Sequence, residues 1–141
     1  WHPLRFEWTP PAADGYSQVD TMNMNGCLIS KDTLAFAGFL GGYFVHSGAD
    51  VEYGLRIKKL GGAVIQARGY VGKCSRNSVI GTSFEDGLSL LERYKRFNGI
   101  KELSFNEKLM FFRSHGGQAW MLFLLLSYAN LFRRHLSQKL T

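Results

Sequence analysis

The sequence predicts an α/β chain, and three observations carry that prediction. An amphipathic helix is expected inside the glycine-punctuated stretch Gly41 to Gly61. Short apolar runs of strand length flank it, at Cys27-Leu28-Ile29 and at Ala63 to Ala67. Residues 91 to 141 are basic and apolar with a helical pattern, so amphipathic helices are expected to close the chain.

Taken in order, residues 1 to 20 hold all three prolines, at 3, 10 and 11, with Trp1, Phe6, Trp8 and Tyr16, and show no sustained period. An extended, aromatic-bearing connector is expected there, either lining a groove or packed on the core. Val19 to Ser30 predicts a strand centred on Cys27-Leu28-Ile29 and introduced by Asn25-Gly26, an ordinary turn signal. Ser30 then suits the N-cap of a helix over Lys31 to Ala37.

The central helix follows from Val51, Leu55 and Leu60, with Arg56, Lys58 and Lys59 left for solvent and Gly61-Gly62 as the stop signal. Asp50 and Glu52 therefore fall in its first turn, where unpaired N–H groups and the helix dipole favour negative charge. That is the state a general base needs. Acidic residues also begin many helices simply because they suit the dipole. What singles out this pair is the crowding of Gly41, Gly42 and Gly48 before it and His46 four residues ahead of Asp50. Beyond the helix, Ala63 to Ala67 reads as a short buried strand that Tyr70 to Cys74 extends or pairs with. Arg76 in the following polar Ser75 to Asn77 has the chemistry to meet a phosphate bidentately, although surface-loop arginines commonly have no such task.

Charge divides the chain at about residue 90. Residues 1 to 90 hold 8 Lys/Arg and 8 Asp/Glu, whereas residues 91 to 141 hold 9 and 3, so the whole net charge of +6 belongs to the tail. Two domains are drawn accordingly, 1–90 and 91–141. The apolar run from Ala119 falls short of the ~20 residues a membrane-spanning helix requires. Edged by Trp120, Tyr128, Arg133, Arg134 and Lys139, it suits either an interfacial helix on anionic headgroups, over 103–139, or a helix packed on the domain or a partner. Nucleic acid is not expected, because the aromatic residues sit in apolar runs rather than interleaved as a stacking platform. Cys27 and Cys74 lack CxxC spacing, so no zinc site or disulfide framework is indicated and two buried thiols in a reducing compartment are expected. The chain opens on Trp1 and its first methionine is Met22, inside a predicted element, which suggests a piece of a longer protein.

The central stretch, Ala49-Asp50-Val51-Glu52-Tyr53-Gly54-Leu55-Arg56, resembles the acceptor half of family 2 glycosyltransferases, inverting enzymes of the GT-A fold. Their pattern is a glycine-rich or aromatic loop, a Glu-Asp pair, one residue, a further acid and an amphipathic helix ending in glycine. The likeness extends on both sides. MNGCLIS with KDTLAFAGF resembles the strand and helix beside the sugar site, AVIQARGYVGKC the return strand, and residues 88–120 the basic, aromatic C-terminal extension of bacterial members. Two departures stand out. Ala49 replaces the usual Glu of the pair, and the metal-binding His often found after the return strand has no counterpart, Cys74 falling near that place.

The resemblance implies the C-terminal part of a GT-A fold, with residues 1–90 as its acceptor side. It implies transfer of a sugar from a nucleotide-sugar donor to a glycan or lipid-linked acceptor, with Asp50 as base and Asn25, Gly26, His46, Glu52 and Arg76 around the substrates. Neither an Asp-x-Asp nor a glycine-rich phosphate loop occurs here. A divalent cofactor, Mg or Mn, is therefore expected through an N-terminal nucleotide-binding half, without which this chain would be inactive. The implied setting is the cytoplasmic side of a bacterial cell envelope, peripheral on the inner face of the membrane. The alternative is a non-catalytic membrane-surface or partner-binding module derived from such a domain.

Overall fold

The computed structural model describes residues 6–45, 47–75 and 77–139. They form a mixed α/β chain with five α-helices and a two-stranded sheet. The described residues divide into two compact units, 6–42 with 48–75, and 43–45 and 47 with 77–139.

In the first unit, strand β1 (Ser17–Val19) pairs antiparallel with β2 (Val64–Gln66), in the register Ser17 to Gln66 and Val19 to Val64. Helix α1 (Lys31–Ala37) begins as expected: the Ser30 hydroxyl accepts from the Thr33 N–H at 3.0 Å. Helix α2 (Ala49–Lys59) is entered through Gly48, whose φ of 78° lies in the left-handed region that glycine adopts without steric cost. The two helices are tied at the C-terminus of α1. There Tyr53 Oη donates to the Gly38 carbonyl at 2.8 Å, and the Arg56 guanidinium donates to the carbonyls of Ala37 at 2.6 Å and Phe39 at 2.9 Å. These bonds satisfy carbonyls that a helix end otherwise leaves to water. Ala37, Tyr53, Ile57 and Val64 form the buried core, with Val19, Met22, Met24 and Ile29 packed against it.

Several expectations are corrected. Cys27-Leu28-Ile29 is not a strand: residues 20–29 wrap across α2 in irregular conformation, and Leu28 is exposed. The strand instead occupies Ser17–Val19, within the expected connector, because Val19 finds Val64 as a neighbour and the later apolar run finds no strand beside it. The described part of that connector keeps Phe6, Trp8 and Tyr16 exposed, and residues 1–5 lie outside the described residues. In α2 the buried face is Tyr53, Gly54 and Ile57. Leu60 is the exposed C-cap, and Arg56 turns inward to α1 instead of to solvent. Tyr70 to Cys74 adds no strand, and Ile65 of β2 is exposed. Both cysteines are exposed.

The second unit is helical: α3 (Leu90–Phe97), α4 (Phe105–His115), a 3-10 turn (Gly117–Ala119) and α5 (Trp120–Lys139), with α5 packed against α3 and α4. Capping boxes start α3 and α4, where Ser89 pairs reciprocally with Glu92 and Ser104 with Glu107. Gly116 separates α4 from the turn, as the glycine pair suggests. A Cβ there would lie 2.6 Å from the Phe112 carbonyl and 2.8 Å from Trp120 Cα. Buried cations then lock the unit together. Arg93, 1% exposed, donates to the carbonyls of Ser83 and Glu85 and to Gln138 Oε1, so that α3 grips both the preceding loop and the end of α5. Lys108, 4% exposed, donates to the carbonyls of Phe97 and Leu103 and stands 3.8 Å above the Phe97 ring. Although α5 is 20 residues long, no helix among the described residues is long and apolar enough to cross a membrane.

Candidate active site

The carboxylates singled out by sequence stand in the first turn of α2, but their surroundings differ. Glu52 pairs with Arg56 one turn on, its Oε1 3.2 Å from Nε and its Oε2 accepting from Nη2 at 3.2 Å. Because the same guanidinium holds the end of α1, Glu52 helps to build the scaffold. Asp50 is half-buried and held by backbone N–H groups: Oδ1 accepts from Val51 at 2.8 Å and Oδ2 from Met24 at 3.4 Å. Each oxygen of a carboxylate has two acceptor positions, so one per oxygen is left for a ligand hydroxyl.

Met24 reaches Asp50 because the loop from Asp20 to Gly26 lies against the N-terminal half of α2. Thr21 Oγ1 donates to the Val51 carbonyl at 2.7 Å. Gly54 makes the approach possible, since a Cβ on it would stand 2.5 Å from Thr21 Oγ1 and 2.8 Å from Thr21 Cα. At the other end of the helix, Lys58 forms an exposed ion pair with Asp20. Asn25 and Gly26 follow Met24 at the loop tip, where the Asn25 N–H donates to Asn23 Oδ1 at 3.2 Å and nothing lies within 4 Å of where a Gly26 Cβ would be. Cys27 completes the group. Although Cys27 is exposed, partial desolvation first and the negative charge of Asp50 second push its thiol up in pKa, against the lowering effect of the Gly26 backbone.

The structure thus holds Asp50 against the Met24 N–H, with Asn25, Gly26 and Cys27 following Met24 in the chain and Glu52 in the same first turn of α2. His46 and Arg76 lie outside the described residues. Thr21, Met24 and Gly54 are the positioning residues that sequence reasoning missed. Only Gly54 carried a signal, because an isolated glycine inside a helical pattern marks a close approach by something else. Among the described residues no group of three or more His, Cys, Asp or Glu is placed to hold a metal ion. The arrangement offers an oriented carboxylate next to an open glycine-bearing loop tip, which suits withdrawal of a proton from a bound hydroxyl. No known protein family, curated protein or solved structure matches this chain.

Proposed function

We propose that this chain is the acceptor-side part of an inverting glycosyltransferase of GT-A type. The observation that carries the reading is the placement of Asp50, a first-turn carboxylate oriented by the Met24 and Val51 N–H groups, with the uncrowded Gly26 two residues after Met24. A sugar hydroxyl is a weak nucleophile. Asp50 takes its proton as the hydroxyl oxygen bonds to the anomeric carbon, and the bond from that carbon to the nucleoside diphosphate breaks with its electron pair leaving on the phosphate. Attack opposite the leaving group inverts the centre. Base catalysis of this kind contributes about 10²- to 10⁴-fold.

In this reading a donor-binding half with its Asp-x-Asp and a Mg or Mn ion completes the enzyme, and the acceptor is a glycan or a lipid-linked sugar at the cell envelope. Asn25 and Gly26 border the donor sugar, while His46 and Arg76 remain candidates for substrate contact on sequence grounds. A second reading, a non-catalytic module, draws on Ala49, which stands where the family places a Glu.

The test uses the longer protein that the resemblance implies, with a panel of nucleotide sugars. Asp50→Asn is expected to lower transfer by about 10²- to 10⁴-fold while nucleotide-sugar binding, read by calorimetry, stays near normal. Glu52→Gln is the control, expected to cost stability more than turnover. Transfer retained in Asp50→Asn removes Asp50 from the role, and absence of donor binding in the parent protein favours the non-catalytic module.

A further inference from the structure

Helix α5 buries one face and leaves an apolar stripe exposed on another. Phe123, Leu131 and His135 recur at helical spacing and are buried. On the other side Met121, Leu125, Phe132 and Leu136 form a stripe left uncovered, Leu125 67% and Leu136 61% exposed, with Leu122 along its flank. An exposed apolar strip of this length marks an interaction surface. The packing that buries the inner face of α5 therefore leaves a second face for another phase or molecule.

We propose that this outer stripe lies flat in the headgroup region of an anionic lipid surface. The charge of the helix selects that occupant. From Trp120 to Lys139 there is no Asp or Glu, and exposed Arg133 follows Phe132 at the margin of the stripe, whereas Arg134 turns inward onto the Phe84 ring and the Ser83 hydroxyl. A second copy of α5 would set cations against cations with no acid to meet them. A nucleic acid would meet aliphatic side chains where it needs stacking platforms or paired cations. Anionic headgroups satisfy both features, taking the apolar stripe into the acyl boundary and Arg133 among the phosphates. Because the helix cannot cross a bilayer, seating is peripheral and reversible. The inference goes beyond the proposed transfer reaction and requires nothing of Asp50.

The experiment is flotation of the whole chain with phosphatidylcholine vesicles with and without phosphatidylglycerol. The parent is expected to float with the anionic vesicles only, and less so at high salt. Arg133→Glu is expected to lower partitioning by about 30-fold, since each basic residue near such a surface is worth roughly fivefold. Leu125→Asp with Leu136→Asp is expected to abolish it with the circular dichroism and melting temperature unchanged, because both side chains are exposed. Failure to float, floating that ignores the anionic lipid, or floating that survives the double substitution overturns the proposal. Sedimentation of a dimer that the double substitution dissolves, with no vesicle binding, overturns it in favour of a second copy.

Discussion

Replacing Gly54 with alanine sets two effects of known sign against each other. In an exposed helix the change would stabilise by about 1 kcal/mol, because alanine has the better helix propensity. Here the added methyl would stand 2.5 Å from Thr21 Oγ1 and 2.8 Å from Thr21 Cα, and the second contact is with backbone that cannot swing away. Overpacking of this kind costs about 1–3 kcal/mol, and displacing the loop also removes the Thr21 to Val51 hydrogen bond, about 1 kcal/mol. The net expectation is a loss of roughly 1–3 kcal/mol, which for a chain of this size is a fall in Tm on the order of 5 °C. Urea denaturation of Gly54→Ala, Thr21→Ala and the double variant measures it. The double variant should lose less than the sum, since the shared hydrogen bond is broken only once. Faster amide exchange at Met24 should accompany the loss, because the same loop carries that N–H to Asp50. A Gly54→Ala protein as stable as the parent, with additive effects, would refute the close approach that places the loop tip at the carboxylate.

Lys108 gives a pH prediction. Burial lowers its pKa to about 8, with Glu102 and Glu107 pulling the other way, from a usual value of 10.5. The folded state therefore releases this proton before the unfolded state does. Between about pH 8 and 10.5 the unfolded chain binds more protons, so the Lys108 contribution to stability rises with pH and is flat below that window. The expected gain is on the order of 1–3 kcal/mol once solvent screening is allowed for. Urea midpoints at the two ends of the window measure it, and Lys108→Met should flatten the slope. Arg93→Ala should destabilise the second unit by about 3 kcal/mol, since it removes the donor for the carbonyls of Ser83 and Glu85 and for Gln138. Arg93→Lys should recover only part of that loss, because a single ammonium lacks the guanidinium fork. Hydrogen exchange over residues 79–87 reads both variants.

What was legible in the sequence was local. Ser30 as an N-cap, the glycines around α2, the first-turn acids and the break at Gly116 each depend on a few neighbouring residues, and each stands where the sequence places it. What was not legible depends on partners far along the chain. Cys27-Leu28-Ile29 has the composition of a strand, but Thr21 bonded to Val51 leads that segment across a helix instead of beside a strand. Lys108 looks like a surface residue until α3 ends at Phe97 with a carbonyl needing a donor. Arg56, on the nominal solvent side of α2, is drawn inward by the carbonyls at the end of α1. The site divides in the same way: Asp50 in a first turn could be read, whereas the Met24 N–H that orients it could not.

The two acids of α2 would be equivalent candidates for a base on sequence alone, and their partners separate them. For Glu52 to take a proton, it would have to release Arg56, and with it the guanidinium that ties α2 to the carbonyls of Ala37 and Phe39. A catalytic cycle through Glu52 would loosen the scaffold at every turnover. Asp50 carries no such load. Its hydrogen bonds come from neutral N–H groups, of which the Val51 contact is made within its own turn and the Met24 contact is long at 3.4 Å. A proton there breaks no tie between the helices. Ala49 bears on the same point. If the proposed resemblance holds, alanine stands where the pattern has a Glu, so no carboxylate immediately before Asp50 repels it. In the proposed reading, that departure touches the neighbour of Asp50 and leaves intact the N–H groups that orient it.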